Sequence, residues 1–384
     1  MEKQTDPLKF PNGTLHVGRP NIGNRDAFLR RINDTLDRRW LTNNGPFVQE
    51  LEKKIAERLG VKHCVIVCNG TAALEIAIRA LGMTGEVILP SFTFIGTAHA
   101  LQWQGITPVF CDIDPVTHNL DPDKVEALIT DRTTGIIGVH LWGRPCAPES
   151  LSRIAKHNNL ALLFDAAHAF ECSYQGRMIG VFGDAEILSF HATKFINTAE
   201  GGAIVTQNDE LAETTRNMRD FGFAGYDNVI SLGINGKMSE LCAALGLTNL
   251  ESIDDFVAVN RRDYNQYKKE LLTLPGLSLV EFNPEEKNNF QYVVAMVDEG
   301  KAGVNRDGLL SMLHNHNILA RRYFWPGCHR MEPYRSNDPQ ARDRLQETER
   351  ISEQVLVLPS GTSVTEADIS RICSLLRRAL QKTP

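Results

Sequence analysis

The chain lacks the features that mark membrane and nucleic-acid-binding proteins. It has no run of about 18 apolar residues, so no segment is expected to span a bilayer. It has no block of Lys or Arg, and its 41 basic and 47 acidic residues give a formal net charge of −6. This balance argues against a nucleic-acid or anionic-membrane partner. The polar stretch 1–13 has no apolar core of the kind found in signal peptides.

The sequence also lacks paired cysteines. Its eight cysteines are scattered, and no two of them are spaced as CxxC. The absence of short paired spacings argues against a zinc site, and we expect no metal. Free, mostly buried thiols are typical of a reducing compartment, so the expected location is the cytoplasm.

The 384 residues are 42 % hydrophobic and 23 % charged, an ordinary composition for a globular protein. The length predicts two domains, or possibly three, with sizeable cores. These totals leave the function open, because a metabolic enzyme, a binding protein and a repeat scaffold could all share them.

Short apolar runs alternate with helical patterns in the first part of the chain. Continuous apolar runs predict strands buried on both faces, and intervening helices predict parallel order. We therefore predict a large α/β domain over residues 1–250. The predicted strands are 63–68, 86–90, 107–113, 134–142, 160–167, 185–191 and 201–206.

The pattern changes after residue 250 and predicts a smaller α+β domain over 251–384. A long helix over 240–274, with a kink or break near Gly246, is expected to join the two domains. Strands around 277–282 and 290–297 and helices at 303–317 and 364–381 are expected to follow.

Polar residues follow several of the predicted strands, where parallel sheets bind their ligands. Gly70 and Thr71 open a helix whose N–H groups would suit a phosphate, although an ordinary helix cap has the same pattern. Asp165 ends an apolar strand and needs a partner there; a cationic ring nitrogen, a salt bridge or a helix cap would serve. His168 lies three residues later. A single histidine is more often a hydrogen-bonded structural residue than a catalytic one.

The sharpest signal is Lys194 in the segment SFHATK (189–194). A partly buried lysine amine has a lowered pKa and can form a Schiff base with a carbonyl, although a surface lysine is the commoner case. Phe92 and Phe94 alternate with hydroxylated residues, and one of the two rings could stack on a flat heterocycle, although core packing is at least as likely for Phe92. Asn235 and Lys237 lie in a glycine-rich loop that could equally be a simple helix cap. Together these residues match what pyridoxal 5′-phosphate requires.

The motifs NGTAALEIAIRALG, PSFTFIGTA, FDAAHAF, SFHATK with EGGAIVT, and GKMSELCAALGL resemble those of the DegT/DnrJ/EryC1/StrS family of sugar aminotransferases. The resemblance extends from residue 40 to the carboxyl-terminal region. It implies a fold-type I pyridoxal-phosphate enzyme, with a mostly parallel seven-stranded sheet flanked by helices and a smaller C-terminal α+β domain.

The resemblance also implies roles for individual residues. Lys194 matches the Schiff-base lysine, Asp165 the acid at the pyridinium nitrogen, and His168 a residue near the ring hydroxyl. Asn235 matches a residue that reaches the phosphate of a neighbouring subunit, which implies a homodimer with shared active sites. The other cofactor-binding matches are Phe94 for ring stacking and Gly70, Thr71 and Ser189 for the phosphate.

Three further residues are candidates for substrate binding. Lys237 stands where many relatives have arginine, and the two cations are not interchangeable. Tyr323 and His329 lie in a segment, 320–334, that resembles the family's loop near the nucleotide sugar. Because both expected substrates are anionic and the chain is acidic, we expect local attraction from Lys237, the pair Arg321–Arg322, His329 and the helix N-terminus at Gly70.

The implied reaction is the transfer of an amino group from L-glutamate to C-4 of dTDP-4-keto-6-deoxy-D-glucose, for an antibiotic or a surface polysaccharide. A C-3 aminotransferase is the main alternative. A sugar dehydratase is disfavoured, because the family's dehydratases have histidine where this chain has Lys194. A non-catalytic cofactor-binding protein is disfavoured by the intact set Asp165, Ser189 and Lys194.

Overall fold

A computed structural model of the chain describes residues 13–381. Its centre is a seven-stranded sheet whose strand order is β1-β7-β6-β5-β4-β2-β3. Every strand is parallel to its neighbours except β7, which is antiparallel to both β1 and β6. The strands are β1 (His63–Val67), β2 (Glu86–Pro90), β3 (Thr107–Cys111), β4 (Thr133–Val139), β5 (Ala161–Asp165), β6 (Ala185–Ser189) and β7 (Gly202–Thr206).

All seven predicted strands are present, and the sheet is mostly parallel, as predicted. Helices cover both of its faces, and two hydrophobic clusters fill the space between sheet and helices. The helices of eight or more residues in this part are α1 (Arg25–Arg38), α2 (Pro46–Leu59), α3 (Gly70–Ala80), α4 (Ile95–Gln102), α5 (Pro148–His157), α6 (Asp209–Arg219) and α7 (Glu240–Leu250).

The C-terminal part contains a three-stranded antiparallel sheet, as the α+β prediction requires. Its strands are β8 (Leu277–Leu279), β9 (Val293–Val297) and β10 (Val355–Leu358), in that order. A third hydrophobic cluster lies between this sheet and its helices. These helices are α8 (Ile253–Leu271), α9 (Arg306–Asn315), α10 (Gln346–Gln354) and α11 (Glu366–Gln381).

The predicted long helix is interrupted, but the predicted position of the interruption, near Gly246, is wrong. Gly246 lies inside α7, and the chain breaks at Glu251 and Ser252, between α7 and α8. A side chain at position 246 would meet Thr198 Cγ2 at 2.6 Å and Leu51 Cδ2 at 2.9 Å. The glycine therefore allows close packing of a straight helix.

The segment before α1 runs across both parts of the molecule. Leu15 and His16 pair in parallel with Ile318 and Leu319. Farther along, the Asn21 side chain donates to the carbonyl of Phe195 and accepts the Thr362 N–H. We call residues 15–24 the N-terminal strap. A domain boundary near residue 250 stays a prediction. The strap, although it belongs to the N-terminal part of the chain, contacts residues of the C-terminal part.

Within residues 13–381, no helix is both long and apolar enough to cross a membrane.

Candidate active site

A cavity of about 640 Å³ opens where the parallel strands end. Its lining includes the last residues of β4, β5 and β6 and the residues that follow β1 and β2. Strand C-termini meet at the same edge of a parallel sheet, which is why residues far apart in sequence converge here. Eight of the eleven predicted site residues line this cavity: Gly70, Thr71, Phe94, Asp165, His168, Ser189, Lys194 and Tyr323.

Lys194 is held in a tight turn after β6. Its backbone N–H donates to the carbonyl of His191, and the neighbouring Thr193 carbonyl accepts from the Gln291 side chain. Burial lowers the pKa of its amine from 10.5 to about 8, and the Asp165 carboxylate opposes that shift. A substantial fraction of the amine is therefore neutral, and nucleophilic, near neutral pH.

Asp165 is a buried carboxylate at the end of β5, with 6 % of its surface exposed. Its Oδ2 accepts from Thr97 Oγ1 at 2.8 Å, and its Oδ1 accepts from the Ala167 N–H at 3.1 Å. Burial still raises the pKa of Asp165. A further positive charge beside the carboxylate would therefore stabilise its ionised form, and a protonated ring nitrogen would supply that charge.

The ionisation and tautomer of His168 follow from its surroundings. Burial lowers the pKa of the imidazole well below its ordinary value, so the ring is neutral. Its Nδ1 accepts the Trp142 N–H at 3.3 Å, so Nε2 carries the proton. The ring stacks on Phe324 at a centroid distance of 5.8 Å. His168 therefore offers one N–H donor to a ligand in the cavity.

A small concave surface forms where α3 begins beside the end of β6. Asn69 caps α3 by accepting the Ala72 N–H at 2.8 Å. A Cβ on Gly70 would lie 3.1 Å from Ser189 Cβ, so the glycine keeps this space open. Free N–H groups of a helix N-terminus beside the Ser189 hydroxyl suit a phosphate.

Aromatic rings form the side of the cavity opposite the sheet. Phe94 is 59 % exposed, the state of a ring that is available for stacking. Phe324 packs against it, with ring centroids 6.3 Å apart, and Tyr323 stacks on Phe324. Arg321 lies at the same wall with its guanidinium over the Tyr323 ring.

Three predicted residues do not line this cavity. Asn235 is exposed, next to the cavity residue Ile234. Lys237 forms an ion pair with Asp220 and lies over the Phe221 ring.

His329 is buried, and both of its ring nitrogens are hydrogen-bonded within the protein. The interpretation of His329 as a substrate contact therefore has no support in this geometry. Arg322 was also expected to attract the anionic substrate, but its guanidinium is paired with Asp307. Among the described residues, no carboxylate is paired with Arg321.

Sequence reasoning missed Thr97, Tyr292 and Glu200 as cavity residues. Thr97 was missed because helix α4, in which it follows Phe94 by one turn, was not predicted from the sequence. Tyr292 directly precedes β9 of the C-terminal sheet, and no local pattern indicates that this residue reaches the cavity.

The profile of the DegT/DnrJ/EryC1/StrS aminotransferase family matches residues 23–377. The chain belongs to the DegT/DnrJ/EryC1/StrS aminotransferase family. This confirms the resemblance on which the sequence prediction rests, and it makes the protein an aminotransferase.

Individual relatives are similar over nearly their whole length. The dTDP-4-amino-4,6-dideoxy-D-glucose transaminase of Shigella dysenteriae is 38 % identical over 363 residues, which cover 94 % of this chain and 98 % of that protein. A GDP-perosamine synthase of Caulobacter vibrioides is 36 % identical over 378 residues, which cover 95 % and 98 %. A crystal structure of DesI in the presence of its TDP-sugar product is 45 % identical, with a TM-score of 0.92, and covers 98 % of this chain and 95 % of that one.

Proposed function

We propose that this aminotransferase uses pyridoxal 5′-phosphate to transfer an amino group from L-glutamate to C-4 of dTDP-4-keto-6-deoxy-D-glucose. The product would be dTDP-4-amino-4,6-dideoxy-D-glucose. The observation that carries the proposal is the convergence of Lys194, Asp165 and His168 in one cavity beside the start of α3. The choice of sugar rests on similarity to the Shigella transaminase and to DesI.

The cavity offers a suitable protein group to each chemical part of the cofactor. The phosphate would bind at Gly70, Thr71 and Ser189, where a helix N-terminus meets a hydroxyl. Asp165 would pair with the ring nitrogen, because its buried carboxylate lacks a full positive partner. Phe94 supplies an exposed ring for one face, and His168 supplies one N–H donor. When bound, pyridoxal phosphate supplies an aldehyde carbon for the amine and a ring that stores an electron pair.

Lys194 is the residue that would move protons in this site. Its lowered pKa lets it alternate between amine and ammonium near neutral pH, so it can remove a proton from the donor's α-carbon and return one later. Asp165 would hold the ring-nitrogen proton in place throughout. The rings of Phe94, Tyr323 and Phe324 would limit the access of water to the reacting atoms.

Arg321 is our candidate for the attraction of the anionic substrate. It lines the cavity and is exposed. A guanidinium binds phosphate oxygens through paired N–H donors, so a diphosphate is a suitable ligand. We propose that Tyr323 contacts the same substrate, since it lies directly beneath the guanidinium.

We also propose that the enzyme is a homodimer in which Asn235 and Lys237 serve the partner's cavity. The segment 221–234 carries seven exposed apolar side chains, an amount that usually marks an interface. All eight cysteines are free, which supports the cytoplasm as the proposed location.

The deciding experiment is product analysis with the purified enzyme, pyridoxal phosphate and L-glutamate. The nucleotide sugar would be offered as dTDP-4-keto-6-deoxy-D-glucose and, separately, as the corresponding GDP-linked 4-keto-6-deoxy sugar. NMR of the product would identify the aminated carbon. Lys194→Ala is the inactive variant, and Lys156→Ala, which changes an exposed lysine on α5, is its matched control.

An amine at C-4 of the dTDP sugar supports the proposal. An amine at C-3 favours the alternative aminotransferase, and loss of a hydroxyl without amine transfer favours the dehydratase. Preference for the GDP sugar would indicate that the substrate is GDP-linked, in line with the name of the Caulobacter relative. Full activity in Lys194→Ala would contradict the mechanism.

A further inference from the structure

A buried chain of hydrogen bonds joins the loop after β2 to helix α10. Ser91 Oγ lies 2.7 Å from His329 Nδ1, and His329 Nε2 lies 2.8 Å from Glu349 Oε1. Ser91 is fully buried and His329 is 3 % exposed, and none of the three residues lines the cavity. We call Ser91, His329 and Glu349 the clamp.

The direction of each hydrogen bond in the clamp can be assigned. Ser91 Oγ accepts the backbone N–H of His329 at 3.0 Å, which leaves its own O–H free to donate to His329 Nδ1. His329 Nε2 then carries the proton and donates to the Glu349 carboxylate. Burial lowers the pKa of His329, in agreement with a neutral ring. Each polar atom of the chain is therefore satisfied with a neutral imidazole at its centre.

The clamp holds two walls of the cavity together. On one side, Ser91 immediately precedes the stretch that ends in Phe94. On the other, Arg321, Tyr323 and Phe324 line the cavity and precede His329 closely in the chain. The Ser91 carbonyl also accepts the Cys328 N–H at 2.8 Å, so two consecutive residues are tied to one serine.

Gly327 shows that the arrangement depends on close packing. Its φ is +89°, and a Cβ there would lie 3.0 Å from His329 Nδ1. Both the backbone conformation and the space therefore favour glycine, which lets the imidazole reach Ser91.

We propose that His329, held between Ser91 and Glu349, is a positioning residue that fixes the wall formed by Arg321, Tyr323 and Phe324 for binding of the nucleotide sugar. This inference rests on the proposed function, because that function supplies the substrate. His329 would act through the wall and would not touch the sugar.

The test compares two substitutions of similar size. His329→Gln retains one acceptor and one donor, at about the spacing of the ring nitrogens, whereas His329→Leu retains only the volume. The glutamate half-reaction is followed by the loss of cofactor absorbance, and the sugar half-reaction by its KM and kcat. Hydrogen exchange of the amides in 321–330 is measured without substrate, with α3 as the internal reference.

We expect His329→Leu to raise the KM for the nucleotide sugar about tenfold, because it removes two buried hydrogen bonds, while kcat and the glutamate half-reaction stay within about twofold. Exchange in 321–330 should become faster, and exchange in α3 should not change. His329→Gln should restore KM to within about threefold of the unmodified enzyme. His157→Leu, at an exposed histidine on α5, should change none of these quantities.

The proposal is overturned if His329→Leu slows both half-reactions equally, if His329→Gln resembles His329→Leu, or if exchange in 321–330 is unchanged. If His329→Leu does not fold, Ser91→Ala replaces it and should show the same selective rise in KM. Failure of the unmodified enzyme to aminate the sugar would contradict the proposed function instead, and the exchange measurement would still test the clamp.

Discussion

At the scale of single residues, Lys194 links burial to reactivity. Its lowered pKa, about 8, means that the neutral amine forms as the pH rises through that value. The rate at which the apoenzyme captures pyridoxal phosphate should therefore rise between about pH 7 and pH 9 and then level off. Stopped-flow absorbance would measure this rate. In Asp165→Asn the midpoint should move lower, because the carboxylate that favours the ammonium form is gone. A midpoint near that of a free lysine would contradict the assignment.

Two buried aspartates should respond in opposite ways to the same substitution. Burial raises the pKa of Asp165, so its carboxylate destabilises the apoprotein at neutral pH. Asp165→Asn should therefore keep or raise the apoprotein melting temperature while lowering kcat about 100-fold or more. Calorimetry and the transamination assay would measure the two effects.

Asp112 provides the matched comparison. Burial raises its pKa, but hydrogen bonds from the Thr348 and Glu347 N–H groups outweigh that effect, so the net pKa is lowered. Its stabilising contribution is present above the pKa of the unfolded chain and is lost as the pH falls. Asp112→Asn should cost about 2 kcal/mol of unfolding free energy with little change in kcat. Equal loss of stability in both variants would contradict this contrast.

At the scale of elements, a carboxylate from one helix caps another. Glu240, at the start of α7, accepts the N–H groups of Phe47 and Val48 in the first turn of α2, at 2.8 and 2.9 Å. A Cβ on Gly45 would meet Glu240 Cδ at 2.5 Å, so the preceding glycine makes room for the cap. Glu240→Gln should lower the unfolding free energy by about 1–3 kcal/mol, measured by urea denaturation.

Glu50→Gln is the control for that measurement. Glu50 lies in α2 with a partly exposed side chain, and within residues 13–381 it is ion-paired with Lys54 at 2.8 Å. Its replacement should cost less than about 0.5 kcal/mol. If both variants lose the same stability, Glu240 acts as an ordinary surface acid.

The strands of the large sheet could be predicted because each is a continuous apolar run that ends at polar residues. The helices α1, α4, α6 and α10 were not identified in advance. Helix α1 has a weakly apolar surface of which only Thr35 is fully buried. The break between α7 and α8 was misplaced because glycine marks either a kink or a close contact. Only the position of Thr198 and Leu51 decides between the two.

At the scale of the whole molecule, the apolar segment 221–234 predicts self-association. Leu232 is 66 % exposed in this segment, and Leu272, at the end of α8, is 86 % exposed far from it in sequence. Leu232→Asp should raise the dimer dissociation constant about 10- to 100-fold and lower activity, whereas Leu272→Asp should change neither. Sedimentation velocity would measure both. A monomeric but fully active enzyme would exclude shared active sites.

The location of the site was predictable, but the state of its charged residues was not. Asp165, Ser189 and Lys194 converge because strand ends in a parallel sheet share an edge, and the strands were recognised correctly. The roles of Lys237 and His329 depend on Asp220, Ser91 and Glu349. These partners lie 17 to 238 positions away in sequence, and only the tertiary structure brings them into contact.

The N-terminal strap has a consequence for the order of events during synthesis. Leu15 leaves the ribosome early, but its partner Ile318 is made about 300 residues later, or about 15–60 s later at ordinary translation rates. Thr362, the partner of Asn21, is synthesised later still. Asn21 also donates to the carbonyl of Phe195, next to Lys194, so the strap joins the turn of that lysine to the C-terminal part of the molecule. An incomplete chain would thus carry this turn without the strap's second anchor.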